Sequence, residues 1–169
     1  MYRIGIVALA LAGLVGCTPA PVPQSYRNSA QPIASAALFD MAQFQGDWQV
    51  VAAFGAEAGC GLLQERWQAE ASGVIVQGTT CGPRGKTGFA TRGQVTGPGR
   101  IARTMKNGPE SVWVLWVDAD YRVAAIGTPS GGFGRILVRP GLGRSDLITA
   151  ARDVLRFNGY DISQLKMLR

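Results

Sequence analysis

The chain has 169 residues, 47% of them hydrophobic and 17% charged, which suffices for one hydrophobic core but not for two ordinary domains. Histidine is absent, and this excludes His-based hydrolase triads and His-containing zinc sites. The 17 Lys and Arg outnumber the 11 Asp and Glu, but the arginines are scattered along the chain, a pattern that does not favour nucleic-acid binding.

The first residues of the sequence are typical of an export signal. Residues 1–16 combine a basic residue, an apolar run and small residues before Cys17. The apolar run is shorter than the about 20 residues that a membrane-spanning helix needs. The run Leu14-Val15-Gly16-Cys17 resembles the lipobox of bacterial lipoproteins, in which the cysteine is acylated and becomes the mature N-terminus. We therefore expect a signal peptide over residues 1–16 and lipid (palmitate) on Cys17; the alternative is an ordinary secreted protein.

A segment rich in Pro, Ala, Ser and Gln follows the signal. Its composition over residues 17–38 predicts a flexible tether between the lipidated cysteine and a folded domain over residues 39–169. The residue after the cysteine is Thr18 and not Asp, and in this the sequence resembles lipoproteins that are released to the outer membrane. The expected location is therefore the bacterial cell envelope, with the protein anchored by lipid to the outer membrane and facing the periplasm.

Cysteine usage agrees with an oxidising compartment. If Cys17 carries lipid, Cys60 and Cys81 remain as an even pair, and the simplest interpretation is one disulfide. The alternative is two free or metal-binding thiols, although no His or third Cys lies nearby. The sequence thus predicts neither a metal site nor a cofactor.

The rest of the chain divides into short β-like runs bounded by Gly, Pro, Asn or Asp, and its 23 glycines and 9 prolines are typical of tight connections. One helix follows the runs over residues 146–157, with Ser145 as its expected N-cap and Asn158-Gly159 as its end. Consecutive strands with short connections favour an all-β fold, an eight-stranded antiparallel up-and-down barrel with one C-terminal α-helix. The predicted strands span residues 47–54, 62–68, 74–79, 87–95, 100–106, 111–117, 121–128 and 133–139, with a short last strand at 165–168.

Three motifs resemble those of the lipocalins. Gly46 and Trp48 open the first strand, Asp118 and Tyr121 form the turn between the sixth and seventh strands, and Arg139 ends the eighth strand before the helix. In their order and in the Gly-Tyr-Asp exit from the helix, they most resemble the bacterial outer-membrane lipocalins related to apolipoprotein D. The resemblance covers residues 39–169 and is weak over residues 80–106. It implies a barrel whose closed end is covered by a contact between Trp48 and Arg139, a structural role.

The up-and-down topology predicts, independently of the motifs, which residues share an end of the barrel. Every second connection lies at the same end of such a barrel, so Cys60, in the first connection, and Cys81, in the third, share one end and are able to pair. Trp48, Tyr121 and Arg139 lie at the opposite end.

Alternation along each strand predicts which residues face the interior of the barrel. Counted from Trp48, the first strand directs Val50, Ala52 and Phe54 inward, and counted from Arg139, the eighth directs Leu137, Arg135 and Phe133 inward. The sixth strand is apolar on both faces, so its inward set stays open. A bulge between Gly132 and Arg135 would reverse the direction of the eighth strand, and that alternative also stays open.

The resulting hypothesis is a membrane-anchored lipocalin that binds a fatty acid or lysophospholipid, with Phe54, Phe133 and Arg135 as candidate ligand contacts. A guanidinium inside an apolar barrel is costly unless it is paired, and a ligand carboxylate or phosphate supplies the missing charge, unless Glu65 does. The alternatives are a filled barrel without ligand and a structural or assembly lipoprotein that uses the barrel as a docking module. An enzyme is not expected, because Asp118 and Asp120 lie in a tight turn and the Gly-rich run 127–134 lacks the Lys of a phosphate-binding loop.

Overall fold

The structure is a computed structural model, and it describes residues 24–105 and 108–169. The predictions for the signal peptide and for Cys17 lie outside the described residues. Within them, no helix is both long enough and apolar enough to span a bilayer.

Eight antiparallel strands form a closed barrel, which confirms the predicted fold class. Each strand pairs with the next along the chain, and β1 pairs with both β2 and β8, which closes the sheet; a ninth short strand, β9, adds to β1. Closure satisfies the strand edges that an open sheet would expose. The strands are β1 (Gly46–Ala53), β2 (Leu63–Glu70), β3 (Gly73–Gly82), β4 (Gly85–Gly97), β5 (Arg100–Met105), β6 (Gly108–Val117), β7 (Val123–Gly127), β8 (Gly134–Val138) and β9 (Lys166–Met167).

The two ends of the barrel differ. The β1–β2, β3–β4, β5–β6 and β7–β8 connections lie at one end, called the mouth here, and the other connections lie at the closed end. A 3-10 helix, Gly55–Gly59, sits in the β1–β2 connection at the mouth. The β3–β4 hairpin is longer than predicted, because pairing continues through its glycines to Gly82 and Gly85. Cys81 therefore lies within β3 rather than in a connection, opposite Lys86.

Large side chains fill the closed half of the barrel interior. Phe44 packs against Trp48 and Trp67 with ring centroids 4.8 and 5.1 Å apart, and all three rings are buried. Phe44 belongs to a short helix that the sequence did not predict, α1 (Met41–Phe44), which covers this end. Each such side chain contributes about 1.5–3 kcal/mol by its removal from water. The closed half of the interior is thus filled by core side chains, and the interior cavity lies toward the mouth.

Helix α2 (Ser145–Phe157) covers the outside of β6, β7 and β8. Its buried residues Ala151 and Leu155 pack on outward side chains of those strands, which explains why β7 and β8 are buried on both faces. The expected N-cap is wrong: Ser145 is already helical, and the capping position belongs to Arg144, which pairs with Asp146. The predicted C-terminal end of the helix is confirmed, because Asn158 is the C-cap and Gly159 follows with φ of +86°.

Residues 24–38, called the strap here, lie against the barrel, and this differs from the expected flexible tether. Arg27 forms an antiparallel bridge with Tyr160 and is 8% exposed, and Tyr26 stacks on Phe54 at 5.2 Å. The composition of the strap predicts flexibility because it has few large apolar side chains. Its order comes instead from backbone hydrogen bonds and one buried arginine. The packed unit accordingly includes residue 24 and does not begin at residue 39.

Candidate functional site

The mouth contains a small cavity of about 130 Å³ between the 3-10 helix and the inner faces of the strands. Larger depressions, of about 730 and 550 Å³, lie on the polar outer wall of the barrel and are open to solvent. The mouth cavity is the better candidate because charged and aromatic side chains converge on it. Its lining consists of Glu57, Thr80, Phe89, Arg103, Met105, Glu110, Phe133 and Arg135.

Arg135 is the most deeply buried cation of this cavity, with its side chain 4% exposed. Its guanidinium donates to both carboxylate oxygens of Glu57 and to Glu65 on β2. It also lies over the ring of Phe133, 4.7 Å from the centroid. Such a cation–π contact stabilises a desolvated guanidinium by up to about 2 kcal/mol. The charge of Arg135 is therefore balanced within the protein by two carboxylates.

Both carboxylates have further partners. The other oxygen of Glu65 accepts from the indole N–H of Trp67 at 2.8 Å, and Glu57 accepts from the hydroxyl of Thr80 at 2.9 Å. Glu65 is a buried residue of the barrel wall, whereas Glu57 belongs to the 3-10 helix and is the more exposed of the two. The Glu57 contact is therefore the one that a ligand is able to reach from outside.

The regular course of β8 explains the position of Arg135. Pairing with β7 runs without interruption from Gly127 opposite Gly134 to Val123 opposite Val138, so Leu137 and Arg135 point inward as predicted. The alternative of a bulge before Arg135 does not occur. A Cβ at Gly134 would lie 3.0 Å from both Phe54 and Tyr160, so a side chain there would require these rings to shift.

The expectation that Phe54 lines the interior is wrong. The register of β1 against β8 shifts between Val50 and Ala52, so Ala53 faces inward beyond this bulge, while Ala52 and Phe54 face outward. Phe54 packs under the helix side of the barrel, between the rings of Tyr26 and Tyr160. Of the candidate ligand contacts, the structure brings Phe133 and Arg135 together in the cavity and excludes Phe54.

Strand β6 also contains a bulge, between Val114 and Trp116. Val112, Val114 and Val117 belong to the interior, whereas Trp113 and Trp116 pack on the helix side. This resolves the face that the sequence left open and shows that none of the tryptophans of β6 lines the cavity.

A second ion pair lines the cavity, and sequence reasoning missed it. Arg103 on β5 donates to Glu110 on β6 at 2.6 and 2.8 Å, and its guanidinium carbon lies 5.7 Å from the Phe133 centroid. Two arginines, Arg103 and Arg135, thus lie near the Phe133 ring. The signal was present in the alternation of β5, where Arg103 shares its face with the buried Ile101.

The disulfide prediction is confirmed at the mouth. Cys60 and Cys81 are bonded, with their Cα atoms 5.7 Å apart, and the bond joins the segment after the 3-10 helix to β3. Because Glu57 lies three residues before Cys60, the bridge also limits how far the Glu57 carboxylate is able to move from Arg135.

The closed end has the arrangement that the motifs implied. Arg139 lies 4.0 Å over the Trp48 ring and donates to the carbonyl of Tyr121 at 3.2 Å. Gly46 has φ of +108°, and a Cβ there would lie 2.9 Å from the Arg139 guanidinium, so glycine is required. These contacts hold α1 and the turns of the closed end together, far from the cavity.

Asp118 serves the turn between β6 and β7. Its carboxylate accepts from the backbone N–H groups of Arg122 at 2.6 Å and Val123 at 2.7 Å, and it pairs with the Arg122 guanidinium. Burial alone would raise the pKa of Asp118, but the hydrogen bonds from Val123 and Arg122 outweigh it and lower the pKa below the usual range. All its partners are structural, so the carboxyl pair of Asp118 and Asp120 shows no catalytic geometry.

The Gly-rich segment after β7 is held by Tyr160. The hydroxyl of Tyr160 accepts from the N–H of Thr128 at 2.8 Å and lies 2.8 Å from the carbonyl of Phe133. Burial raises the pKa of this hydroxyl, and the bonds to Thr128 oppose the shift. The segment is therefore a structural connection that positions Phe133 at the cavity.

Comparison with solved structures places this architecture among the lipocalins. No family model and no curated protein sequence matches the chain. Insecticyanin from the tobacco hornworm Manduca sexta is 15% identical with a TM-score of 0.62, covering 86% of each chain. The siderocalin Ex-FABP, described as functioning through dual ligand specificities, is 18% identical with a TM-score of 0.55, covering 75% of this chain and 89% of its own. Apocrustacyanin C1 is 11% identical with a TM-score of 0.58, covering 75% and 77%. At these identities the likeness shows the fold, and the fold is that of a lipocalin.

Proposed function

We propose that this protein is a lipid-anchored lipocalin of the bacterial cell envelope, akin to the outer-membrane lipocalins related to apolipoprotein D. In this proposal it binds a small amphipathic molecule of the fatty acid or lysophospholipid class at the barrel mouth. The lipocalin fold and the converging side chains of the mouth cavity support ligand binding, and the lipobox-like run at Cys17 supports the anchor. The observation that carries the proposal is a guanidinium, Arg135, buried beside an aromatic ring, Phe133, in the only charged part of the described barrel interior.

The size of the cavity limits what enters it. At about 130 Å³ it is smaller than the roughly 300–1,000 Å³ of typical pockets for drug-sized ligands. Trp67 and Leu63, both fully buried, belong to the core that fills the rest of the barrel interior. The cavity therefore accommodates the polar end of the ligand and its first carbon atoms, while the remaining alkyl chain extends past the mouth.

In this proposal an anionic end group of the ligand replaces the Glu57 carboxylate on the Arg135 guanidinium. In the free protein Glu57 occupies the Nε and Nη2 edge of the guanidinium, which is the edge that a carboxylate or phosphate binds with two parallel hydrogen bonds. Glu57 lies on the exposed 3-10 helix, so it is able to yield this position, while Glu65 remains on the third nitrogen. Binding of an anionic ligand thus competes with an internal carboxylate.

Replacing Glu57 by Gln tests this exchange, because Gln keeps the shape of the side chain and removes its charge. We expect E57Q to bind oleate about tenfold more tightly than the wild type, a gain of about 1.4 kcal/mol, and to bind oleyl alcohol with unchanged affinity. Asp47→Asn, at an exposed ion pair on the outer wall, is the matched control and should change neither affinity. Equal oleate affinities of wild type and E57Q in a fluorescence titration would reject the exchange.

Mass spectrometry of an organic extract of the purified protein tests the ligand class directly. We expect a co-purified fatty acid or lysophospholipid. The docking-module alternative predicts an empty barrel in native mass spectrometry, together with a stoichiometric envelope partner in a pull-down. Esterase or phospholipase turnover that a point substitution abolishes would show an enzyme instead.

A further inference from the structure

The strap, residues 24–38, has a defined direction along the barrel. Ser25 donates from its hydroxyl to the carbonyl of Ser130 at 2.8 Å, and Tyr26 donates from its backbone N–H to Gly131 at 2.8 Å, both in the β7–β8 connection at the mouth. Further along, Ala36 donates to the carbonyl of Val114 on β6 at 2.9 Å. The chain therefore enters at the mouth and runs down the barrel wall to the closed end, where β1 begins.

Arg27 fixes the start of the strap. Its guanidinium donates to the carbonyls of Asn158 at 3.0 Å, Pro129 at 2.6 Å and Gln31 at 2.5 Å. Asn158 is the C-cap of α2, so the positive charge lies at the negative end of the helix dipole. A buried arginine with these partners holds residues 24–31 in one position at the rim of the mouth.

The middle of the strap is bound as well. The backbone N–H of Asn28 donates to Gly159 at 2.9 Å, and that of Ala34 donates to the side-chain oxygen of Asn158 at 2.8 Å. The N–H of Asp161 donates back to Tyr26 at 2.8 Å. These bonds are spread over the length of the strap, so no single one of them determines its course.

The strap limits where the proposed lipid anchor at Cys17 is able to lie relative to the barrel. Gln24 lies at the mouth, with its carbonyl 3.7 Å from where a Cβ of Gly132 would be, and Cys17 precedes it by seven residues. Seven residues span at most about 25 Å even when fully extended. A free tether over residues 17–38 would allow any face of the barrel to approach the membrane. The strap removes that freedom and leaves only this short connection.

We infer that the strap orients the barrel with its mouth toward the lipid surface. This inference rests on the proposed acylation of Cys17. The rim of the mouth suits an anionic lipid surface, because Arg84 and Lys86 on the β3–β4 hairpin and Leu62 beside them are exposed. The closed end lies about 20 Å further away, given an eight-residue strand such as β1 that is tilted by about 40° to the barrel axis. An amphipathic ligand then passes between bilayer and cavity without crossing bulk solvent.

Energy transfer between the protein and labelled lipid tests the orientation. A chain that begins at Cys17 keeps every contact described above, and its remaining two cysteines are bonded to each other, so a maleimide lipid couples to Cys17 alone. A donor dye is placed through a non-natural ketone residue at Arg84 on the mouth or at Ala71 on the closed end, both exposed positions. The protein is then bound to phosphatidylcholine–phosphatidylglycerol vesicles that carry an acceptor lipid.

We expect the transfer efficiency from position 84 to be at least about twice that from position 71, given the length of the strands. Pro83 and Leu142, also exposed, form a second pair for the same comparison in case one label disturbs the mouth. As a control, a 20-residue Gly-Ser insertion between Cys17 and Gln24 should make the two efficiencies equal. Equal or reversed efficiencies without the insertion would overturn the inference.

The result is independent of the proposed function. Chemical coupling replaces natural acylation, so a protein that is not acylated in cells still reports its orientation here. Ligand binding is likewise not measured, and failure of the E57Q test leaves this inference standing.

Discussion

At the scale of single residues, the buried charges of the mouth distinguish this barrel from a purely apolar one. A buried ion pair adds little stability compared with apolar residues of the same shape, but removal of one partner leaves a charge without compensation. Glu65 is the critical member, since it is 3% exposed and both its oxygens accept hydrogen bonds, one from Arg135 and one from Trp67. The mouth cluster therefore makes the folded state sensitive to single substitutions.

We expect Glu65→Leu to lower the free energy of unfolding by about 3 kcal/mol, because it deprives Arg135 of a partner and the Trp67 indole of its acceptor. Urea unfolding followed by tryptophan fluorescence measures the change. Asp47→Leu makes the same replacement at an exposed pair with Arg66 and should cost much less. Equal losses in the two variants would show that the buried cluster contributes no more than a surface pair.

The Asp118 turn predicts a dependence of stability on pH. The pKa of Asp118 is lower in the folded state than in the unfolded chain, so its contribution is present above the unfolded pKa of about 4 and is lost as the pH falls through the folded pKa. Asp118→Asn should lower the free energy of unfolding at pH 7 by about 1–3 kcal/mol, and the difference from wild type should shrink below pH 4. Asp120→Asn, a largely exposed carboxyl in the same turn, is the matched control. A difference that stays constant from pH 7 to pH 2.5 would contradict the assignment.

The residues that sequence predicted best are those tied to a turn or a stacking contact. Gly46, Trp48, Tyr121 and Arg139 follow from motif spacing and are in place at the closed end. Of the two partners of Arg135, the sequence suggested Glu65, whereas Glu57 was harder to predict because it belongs to a 3-10 helix in a connection, where alternation gives no direction.

At the scale of elements, the alternation of side chains predicted the inward-facing residues correctly where one face of a strand is polar or where the strand is regular. Strand β2 reads Leu63-Gln64-Glu65-Arg66-Trp67, and its exposure alternates with the side chains. Strand β1 is apolar on both faces from Val50 to Ala53, and the bulge at Val51 leaves no mark in such a sequence. Alternation does not predict the inward face of β6 for the same reason, because this strand is apolar on both faces and contains a bulge. The strap was missed because backbone hydrogen bonds, which composition does not reveal, hold it on the barrel.

The disulfide is the element that holds the mouth together, since it ties the connection that carries Glu57 to β3. Replacing both Cys60 and Cys81 by Ser should lower the free energy of unfolding by about 3 kcal/mol. Amide hydrogen exchange should accelerate in the 3-10 helix and at the end of β3, while the Trp48 region stays protected, because α1 and Arg139 close that end independently. Faster exchange at both ends alike would contradict a local role for the bridge.

At the scale of the whole molecule, the described chain has three regions with different structural roles: the closed end, the mouth and the strap. Buried side chains fill the closed end, the mouth contains the charged cavity, and the strap begins at the mouth, seven residues after Cys17 in the sequence. A ligand-binding barrel anchored on a long flexible tether would sample all orientations. If Cys17 is acylated as proposed, the strap couples attachment to orientation, and the anchor and the proposed binding site then lie toward the same end of the barrel.

The proposed cellular role depends on the proposed lipid anchor, and Cys17→Ala tests that anchor. In cells, wild-type protein should incorporate labelled palmitate and sediment with membranes, whereas C17A should do neither. The barrel of C17A should still fold, because the described contacts all lie within residues 24–169. Circular dichroism and the presence of the Cys60–Cys81 bond check the fold of the variant. Equal palmitate incorporation into wild type and C17A would contradict the lipobox interpretation, and oleate binding by purified C17A with wild-type affinity would show that anchor and cavity act independently.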